Sequence, residues 1–317
     1  MDSLAFHGLL LINKDLPCSS HQIVHSTRKI LRQKSIGHAG TLDPMAKGLL
    51  VLLCGSATKL SSYFINQNKR YSLSLQFGLE TDSFDLEGQV IRSQKADLKR
   101  ERIVSLLTAE TRELELPVPI FSAVKVEGRP LYKYASKGSS DVKIPVKKMN
   151  FWDLKIENIK KDKAYLSVSC SKGSYIRAWV HYLGQRMQTG ACLTSLNRIS
   201  SGDFYLKNSL TLSQLKERLS SSFPKTEEDL KHVLGESFIF PHKALKDFPH
   251  IELAKKHLLF LKQGRLHPYL IQKSQAYQIE SNKHSRNQIL KAVRKNRLYA
   301  LLELSPYKKI KILRNLI

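Results

Sequence analysis

Residues 70–77 alternate cleanly in hydropathy: Tyr71, Leu73, Leu75 and Phe77 against Arg70, Ser72, Ser74 and Gln76. Successive side chains of an extended chain point to opposite faces, so this pattern predicts a half-buried strand. Gly8–Lys14 and Leu49–Cys54 are apolar almost throughout and read as buried strands. Ser19 or Ser20 is placed to cap a helix with Ile23, Val24, Ile30 and Leu31 near one face. After the break at Gly55, Ser56 reads as the cap of a helix through Leu60, Tyr63 and Phe64. Further helices are expected between Leu98 and Thr108 and from about Tyr175 to Arg186. Strands are expected around Met149–Ile156, Ala164–Cys170 and, last, Gly202–Leu206. Pro117 to Lys125 opens an irregular stretch, 117–138, that passes Gly128 and Arg129 to a short helix near Tyr132 and Tyr134. Long irregular loops in compact domains are often functional.

The chain has 317 residues, enough for one large domain and a small one. With 42% hydrophobic residues it has the composition of a globular protein. Its net charge of +25 creates an attractive potential for nucleic acid or an anionic surface. No apolar run approaches the ~20 residues of a membrane-spanning helix, so no membrane association is expected. The first residues lack the basic and apolar regions of a signal peptide. The charge is uneven. Residues 241–317 carry 17 Lys and Arg against 4 Asp and Glu, about half of the net excess. Their apolar pieces, Tyr269–Ile271, Tyr277–Ile279, Leu298–Leu304 and Ile310–Leu313, are short and strand-like, which predicts a small basic β-rich domain. Thr211–Glu236 is polar with helical patterning and no strong core signal, as expected of a connector. The predicted division is 1–210, a connector at 211–240, and 241–317. Cys18, Cys54, Cys170 and Cys192 form no CxxC pair and read as reduced thiols of a cytoplasmic protein. His21 and His25 lack the acid of a zinc motif, and no metal site is expected.

One carboxylate stands apart. In Gly37-His38-Ala39-Gly40-Thr41-Leu42-Asp43-Pro44-Met45-Ala46-Lys47-Gly48, a single aspartate lies in a loop of glycines and a proline. Glycine reaches backbone conformations that other residues resist, and proline fixes its own φ and restrains its predecessor. Such a loop holds Asp43 in one place and lets a ligand approach. An aspartate in a turn is commonly structural, forming an Asx-turn or a helix cap. The loop lacks the phosphate-cradle pattern GxxxxGK[ST], and a carboxylate at its tip repels phosphate.

Gly37–Pro44 followed by Gly48-Leu49-Leu50 closely resembles the catalytic motif of the bacterial tRNA pseudouridine-55 synthases. Five more segments resemble that family in order. They are Gly8–Lys14 with Ser19-Ser20, Lys69-Arg70-Tyr71 with Thr81-Asp82, Asp85 and Gly88, Ser122-Ala123-Val124-Lys125 with Gly128, Cys170–Arg177, and Gly190–Arg198. Together they span about residues 8–205. The sequence departs from the family's usual pattern at Lys47, at Pro117–Phe121, at Cys192 and at Asn197. The region after 210 matches only weakly.

The resemblance implies an α+β fold, a mixed and largely antiparallel sheet flanked by helices, with a small β-rich PUA-like C-terminal domain. It implies an isomerase that converts uridine-55 in the T arm of tRNA to pseudouridine after flipping the base out, with Asp43, Tyr71 and Arg177 catalytic and His38, Tyr71, Tyr175 and Leu196 binding the base. Detaching uracil at N1 and rejoining it through C5 needs an ionised carboxylate beside the sugar, as nucleophile at C1′ or base at C2′. A nearby guanidinium suits the task of keeping that carboxylate charged. Isomerisation exchanges no electrons, so no cofactor is expected; nor is an obligate protein partner, and a monomer is expected. Two other readings compete. A non-catalytic RNA binder on the same scaffold has no need of a charged aspartate facing RNA. A glycoside hydrolase normally uses two carboxylates, the second drawn from residues 80–88, but leaves the basic C-terminal region without a role.

Overall fold

The computed structural model describes residues 5–15, 17–135, 142–280, 288–305 and 310–317. The predicted irregular stretch 117–138 therefore runs past the described residues at 136–138.

A ten-stranded sheet organises the first three quarters of the chain. Its main path runs Phe238–Ile239, Gly8–Lys14, Lys47–Cys54, Ala191–Ser201, Lys69–Phe77, Lys163–Cys170, Val146–Lys160 and Glu113–Pro117. The pairs along it are antiparallel except Ala191–Ser201 with Lys47–Cys54, which is parallel. The fold is α+β, with a mixed and largely antiparallel sheet.

The hydropathy patterns follow from what covers each face. Tyr71, Leu73, Leu75 and Phe77 enter one core beneath the helices Ser20–Ile30, Arg100–Ala109 and Ile176–Met187. The opposite side of the same strand carries Ser74, which bonds Thr194 and Ser195, and Arg70, which bonds Ser167 and Ser169. Gly8–Ile12 is apolar because both of its faces are covered. Leu10 and Ile12 join the first core, while Leu9 and Leu11 join a second with Leu49, Val51, Leu53 and Phe64. Leu245, Leu298, Leu301 and Leu316 of the C-terminal region complete that second core.

Four expectations differ from the structure. The last long strand is Ala191–Ser201, not Gly202–Leu206, where only Phe204–Tyr205 pairs. Register shifts at Leu193/Ser195 and Arg198/Ser200 break its alternation, so Leu193 and Leu196, three apart, enter the same core. Ser56 does not cap a helix; it lies inside a 3₁₀ turn, Gly55–Leu60, whose flanking residue Cys54 gives no side-chain cap. The stretch 211–240 packs into the first core: Leu215, Leu219, Leu230 and Leu234 recur at four-residue spacing on the helices Leu212–Ser221 and Glu227–Leu234, and all are buried. Tyr269–Ile271 and Tyr277–Ile279 belong to one helix, Pro268–Glu280. A three-residue apolar run does not distinguish strand from helix, and Pro268 at the first position favours helix.

The C-terminal region is nonetheless β-rich. Strands His250–Glu252, Gln288–Arg294, Arg297–Leu304 and Ile310–Asn315 form a four-stranded sheet over a third core of Ile251, Leu261, Leu270, Leu290 and Leu302. Among the described residues no helix is long and apolar enough to cross a membrane. All four cysteines are free, with Cys54, Cys170 and Cys192 buried.

Candidate active site

The Asp43 loop leaves the sheet after Ile36–His38 and returns as Lys47–Cys54. Its own main chain supplies one bond, Ala46 N–H to Asp43 O at 3.0 Å. Side chains from distant elements hold the rest. Ser20, in the first turn of its helix, bonds Leu42 twice: its Oγ donates to Leu42 O at 3.0 Å and accepts from Leu42 N–H at 2.8 Å. Lys14, at the end of its strand and fully buried, donates Nζ to Pro44 O at 2.7 Å and to Ala46 O. Burial lowers the Lys14 pKa. Arg198, 1% exposed, donates to Leu49 O at 2.7 Å, Gly40 O at 3.1 Å and Thr41 O at 3.4 Å. Gly48 turns the chain with φ of +96°, and a Cβ there would stand 2.4 Å from Arg198 O, so glycine is required at this position.

Asp43 reaches out of this frame. Arg177, in the first turn of Ile176–Met187, grips it with both edges of the fork: Nε to Oδ2 at 2.9 Å and Nη2 to Oδ1 at 3.0 Å. The guanidinium is 4% exposed and the carboxylate 32% exposed, so the pair is anchored from within and open on the aspartate side. Arg177 also donates to Ser83 O and Phe121 O, each at 3.0 Å, and its Nη1 lies 3.5 Å from Asp85 Oδ2. Every edge of the guanidinium is therefore used. It ties the Asp43 loop, the 80–88 segment and the start of the irregular stretch to one point. A doubly bonded guanidinium favours the ionised carboxylate.

Tyr71 lies in the first core with 9% exposure. Burial pushes its phenol up to about 12; Arg198 opposes that rise, and Asp43 adds to it. Tyr175 flanks the first turn of the Arg177 helix, and burial, with the Asp43 charge assisting, raises its pKa. Leu196 pairs across strands with Leu73 and joins the same core as Tyr71. His38 ends the short strand before the loop; burial and the nearby Arg198 lower its pKa, and its Nδ1 is buried without a hydrogen-bond partner. The structure thus joins Asp43 to Arg177 directly and sets Tyr71 and Tyr175 within the field of Asp43, with Leu196 and His38 on adjoining elements.

Besides Lys14 and Arg198, three more charged residues of this site have no role predicted from sequence: Asp85, Glu87 and Lys69. Asp85, 2% exposed, accepts from Ser83 Oγ and Glu87 N–H and faces Arg177 from behind. Burial and then the charge of Asp85 raise the Glu87 pKa, against the opposing effect of the Met45 main chain. Lys69 is 8% exposed, donates to Ile65 O at 2.6 Å and to Gln67 O, and is lowered to about 8 by burial and the Arg198 charge. The only sequence signal for Asp85 was its place in the family-like segment. Lys14 and Lys69 also lie in family-like segments, each as a charge beside an apolar strand. Among the described residues no group of three or more His, Cys, Asp or Glu is arranged to hold a metal ion.

The sequence profile of the TruB family pseudouridylate synthases (N-terminal domain) matches residues 28–176. The chain is 38% identical over 262 residues to tRNA pseudouridine synthase B of Bdellovibrio bacteriovorus, covering 82% of each protein. It is 33% identical over 287 residues to tRNA pseudouridine synthase B of Caldicellulosiruptor saccharolyticus, covering 84% of this chain and 98% of the relative. Among solved structures, a chain of a Cbf5-Nop10-Gar1 complex superposes with TM-score 0.68 at 18% identity, over 98% of this chain and 85% of that one. A chain of an H/ACA RNP bound to a substrate RNA containing 2′-deoxyuridine superposes with TM-score 0.67 at 16% identity, over 98% and 85%. At those identities the structural likeness concerns the fold. The relatives, which share a third or more of their residues over most of their length, place the chain in the TruB family of pseudouridylate synthases, and it is an isomerase.

Proposed function

We propose that this enzyme converts uridine-55 in the T arm of tRNA to pseudouridine. The observation that carries this reading is the Asp43–Arg177 pair, a carboxylate held at two points from a buried side and open on the other. In the reaction the N1–C1′ bond breaks, the base turns, and a C5–C1′ bond forms; C5 loses a proton and N1 gains one. Asp43 serves at the ribose, by attack at C1′ or by removing the C2′ proton, and a 2′-deuterium isotope effect separates the two routes. Arg177 keeps the carboxylate ionised. Tyr71 stacks on the uracil, with its phenol beside the proton leaving C5, while Tyr175, Leu196 and His38 line the space for the displaced base.

A uridine inside a folded loop is out of reach of this site, so the base is flipped out at a cost of a few kcal/mol. Sequence-selective proteins favour splayed RNA loops over regular helices, which agrees with a T arm. The basic domain at 241–317 adds phosphate contacts, and binding weakens steeply with salt. We place the catalytic unit at 1–210, with 211–240 packed on its core and joining it to that domain. The enzyme acts in the cytoplasm as a monomer, without a protein partner.

The test is to incubate purified protein with unmodified tRNA and map pseudouridine chemically, beside Asp43→Asn. Pseudouridine at position 55 with wild type and none with the variant is expected. Product at another uridine overturns the site, and full activity of Asp43→Asn overturns the mechanism.

A further inference from the structure

We infer that Arg198 is a positioning residue for this reaction, a single buried guanidinium that fixes the Asp43 loop on one side and Tyr71 on the other. The inference rests on the function proposed above. Its starting point is sheet register. Arg198 sits on the strand between the two that carry the site. Its cross-strand partner in one direction is Tyr71, and in the other, through the sheet's parallel pair, it is Gly48 at the close of the Asp43 loop. The close approach of Gly48 to the Arg198 main chain fixes that spacing.

The side chain completes what the register begins. Its three loop acceptors are main-chain carbonyls at both ends of the loop, Gly40 and Thr41 before Asp43 and Leu49 after it. One planar group closes the loop as a clasp. A buried cation is costly unless its donors are satisfied, so this arrangement holds only with the loop seated. The same charge acts on the phenol of Tyr71, its cross-strand partner, opposing the rise in pKa caused by burial. Lysine cannot substitute. Its ammonium is a point charge with three donors and cannot span the carbonyls of Leu49, Gly40 and Thr41 while lying beside Tyr71.

Arg198→Lys keeps the charge and most of the volume, and full-length protein with unmodified tRNA reads the effect. Single-turnover kcat should fall about 100-fold, the scale of a misplacement near 1 Å, while the dissociation constant for tRNA stays within about threefold. The loss should be strongly non-additive with Tyr71→Phe, because both variants break one unit. Amide exchange across residues 40–49 reads the loop without any substrate. Arg198→Lys should raise it about tenfold or more, and Tyr71→Phe should leave it unchanged. A folded Arg198→Lys enzyme with kcat within threefold of wild type overturns the proposal, as do losses that multiply independently with Tyr71→Phe. Unchanged loop exchange overturns it whether or not the enzyme acts on uridine-55. Failure of the wild type to modify tRNA instead overturns the function alone.

Discussion

Two segments meet at the Arg177 guanidinium, and they are held in opposite ways. The Asp43 loop is fixed at nearly every carbonyl by Ser20, Lys14 and Arg198, side chains from three separate elements. The segment after Pro117 is tied to the same guanidinium by a single main-chain oxygen, that of Phe121. Among its described residues regular structure is slight: the pairs Lys125–Val126 and Arg129–Pro130, then the helix Leu131–Ala135. It exposes Phe121 and Tyr132, at 36% and 46%, beside Arg129 and Lys133. In the proposed reaction Asp43 must meet the ribose within a fraction of an ångström, which needs the first kind of support. For the second segment we propose a surface that follows the folded RNA, a task suited to aromatic faces and cations on a short tether.

This contrast breaks first at Arg177, where the two segments join. Arg177→Lys removes the bidentate grip and the carbonyl contacts to both sides. It should lower kcat about 10³-fold, on the scale of losing preorganised charge stabilisation, and measurably lower the melting temperature. Equal losses in kcat and in tRNA affinity would show that the aspartate side and the RNA side are not separable.

Ser20→Ala tests the fixed segment alone. It leaves the N–H and C=O of Leu42 without their side-chain partner in a buried site. An orphaned buried group costs about 1–3 kcal/mol. Part of that should appear as about a tenfold fall in kcat, since each ~1.4 kcal/mol in a barrier is tenfold. Affinity for tRNA should not change, and weaker binding with kcat intact would reverse the assignment of roles.

Phe121→Ala tests the other segment. The main-chain bond to Arg177 survives, and only the exposed ring is lost. Base–aromatic stacking is worth about 1–3 kcal/mol; for a ring only partly exposed, the low end gives about a fivefold loss of tRNA affinity. Filter binding measures it, and kcat should stay within about twofold.

The two segments also differ in how far the sequence disclosed them. The Asp43 loop is written locally, because glycines and a proline at set positions shape a turn whatever surrounds it. Arg177 lies 134 residues further on, and only its place in a recognisable motif connected it to Asp43. Lys14, Ser20 and Arg198 hold the loop by donating to carbonyls. Carbonyls are common to all residues, so such contacts leave no complementary pattern in a sequence. The strand Ala191–Ser201, which carries Arg198 and Leu196, was hidden for a different reason: its register shifts erase the two-residue alternation that marked Lys69–Phe77. The helices at 211–234 showed their period, but their leucines did not show which surface they would meet.

Lys69 offers the smallest and most specific test of the fixed segment. It lies under the loop, its Cε about 4.0 Å from where a Cβ on Gly40 would stand. Burial and the charge of Arg198 lower its pKa from 10.5 to about 8. The folded state therefore disfavours the ammonium. Below pH 8 both states are charged and the penalty is present in full. Between about 8 and 10.5 the unfolded chain holds a proton that the folded chain has released, so the contribution to stability rises with pH. Lys69→Met removes that proton from both states. In denaturant titrations from pH 7 to 10.5, the difference in stability between wild type and variant should shift toward wild type across that window and be flat below it. A difference flat throughout would mean that Lys69 is hydrated, and that the floor beneath the Asp43 loop is as open to water as the segment carrying Phe121.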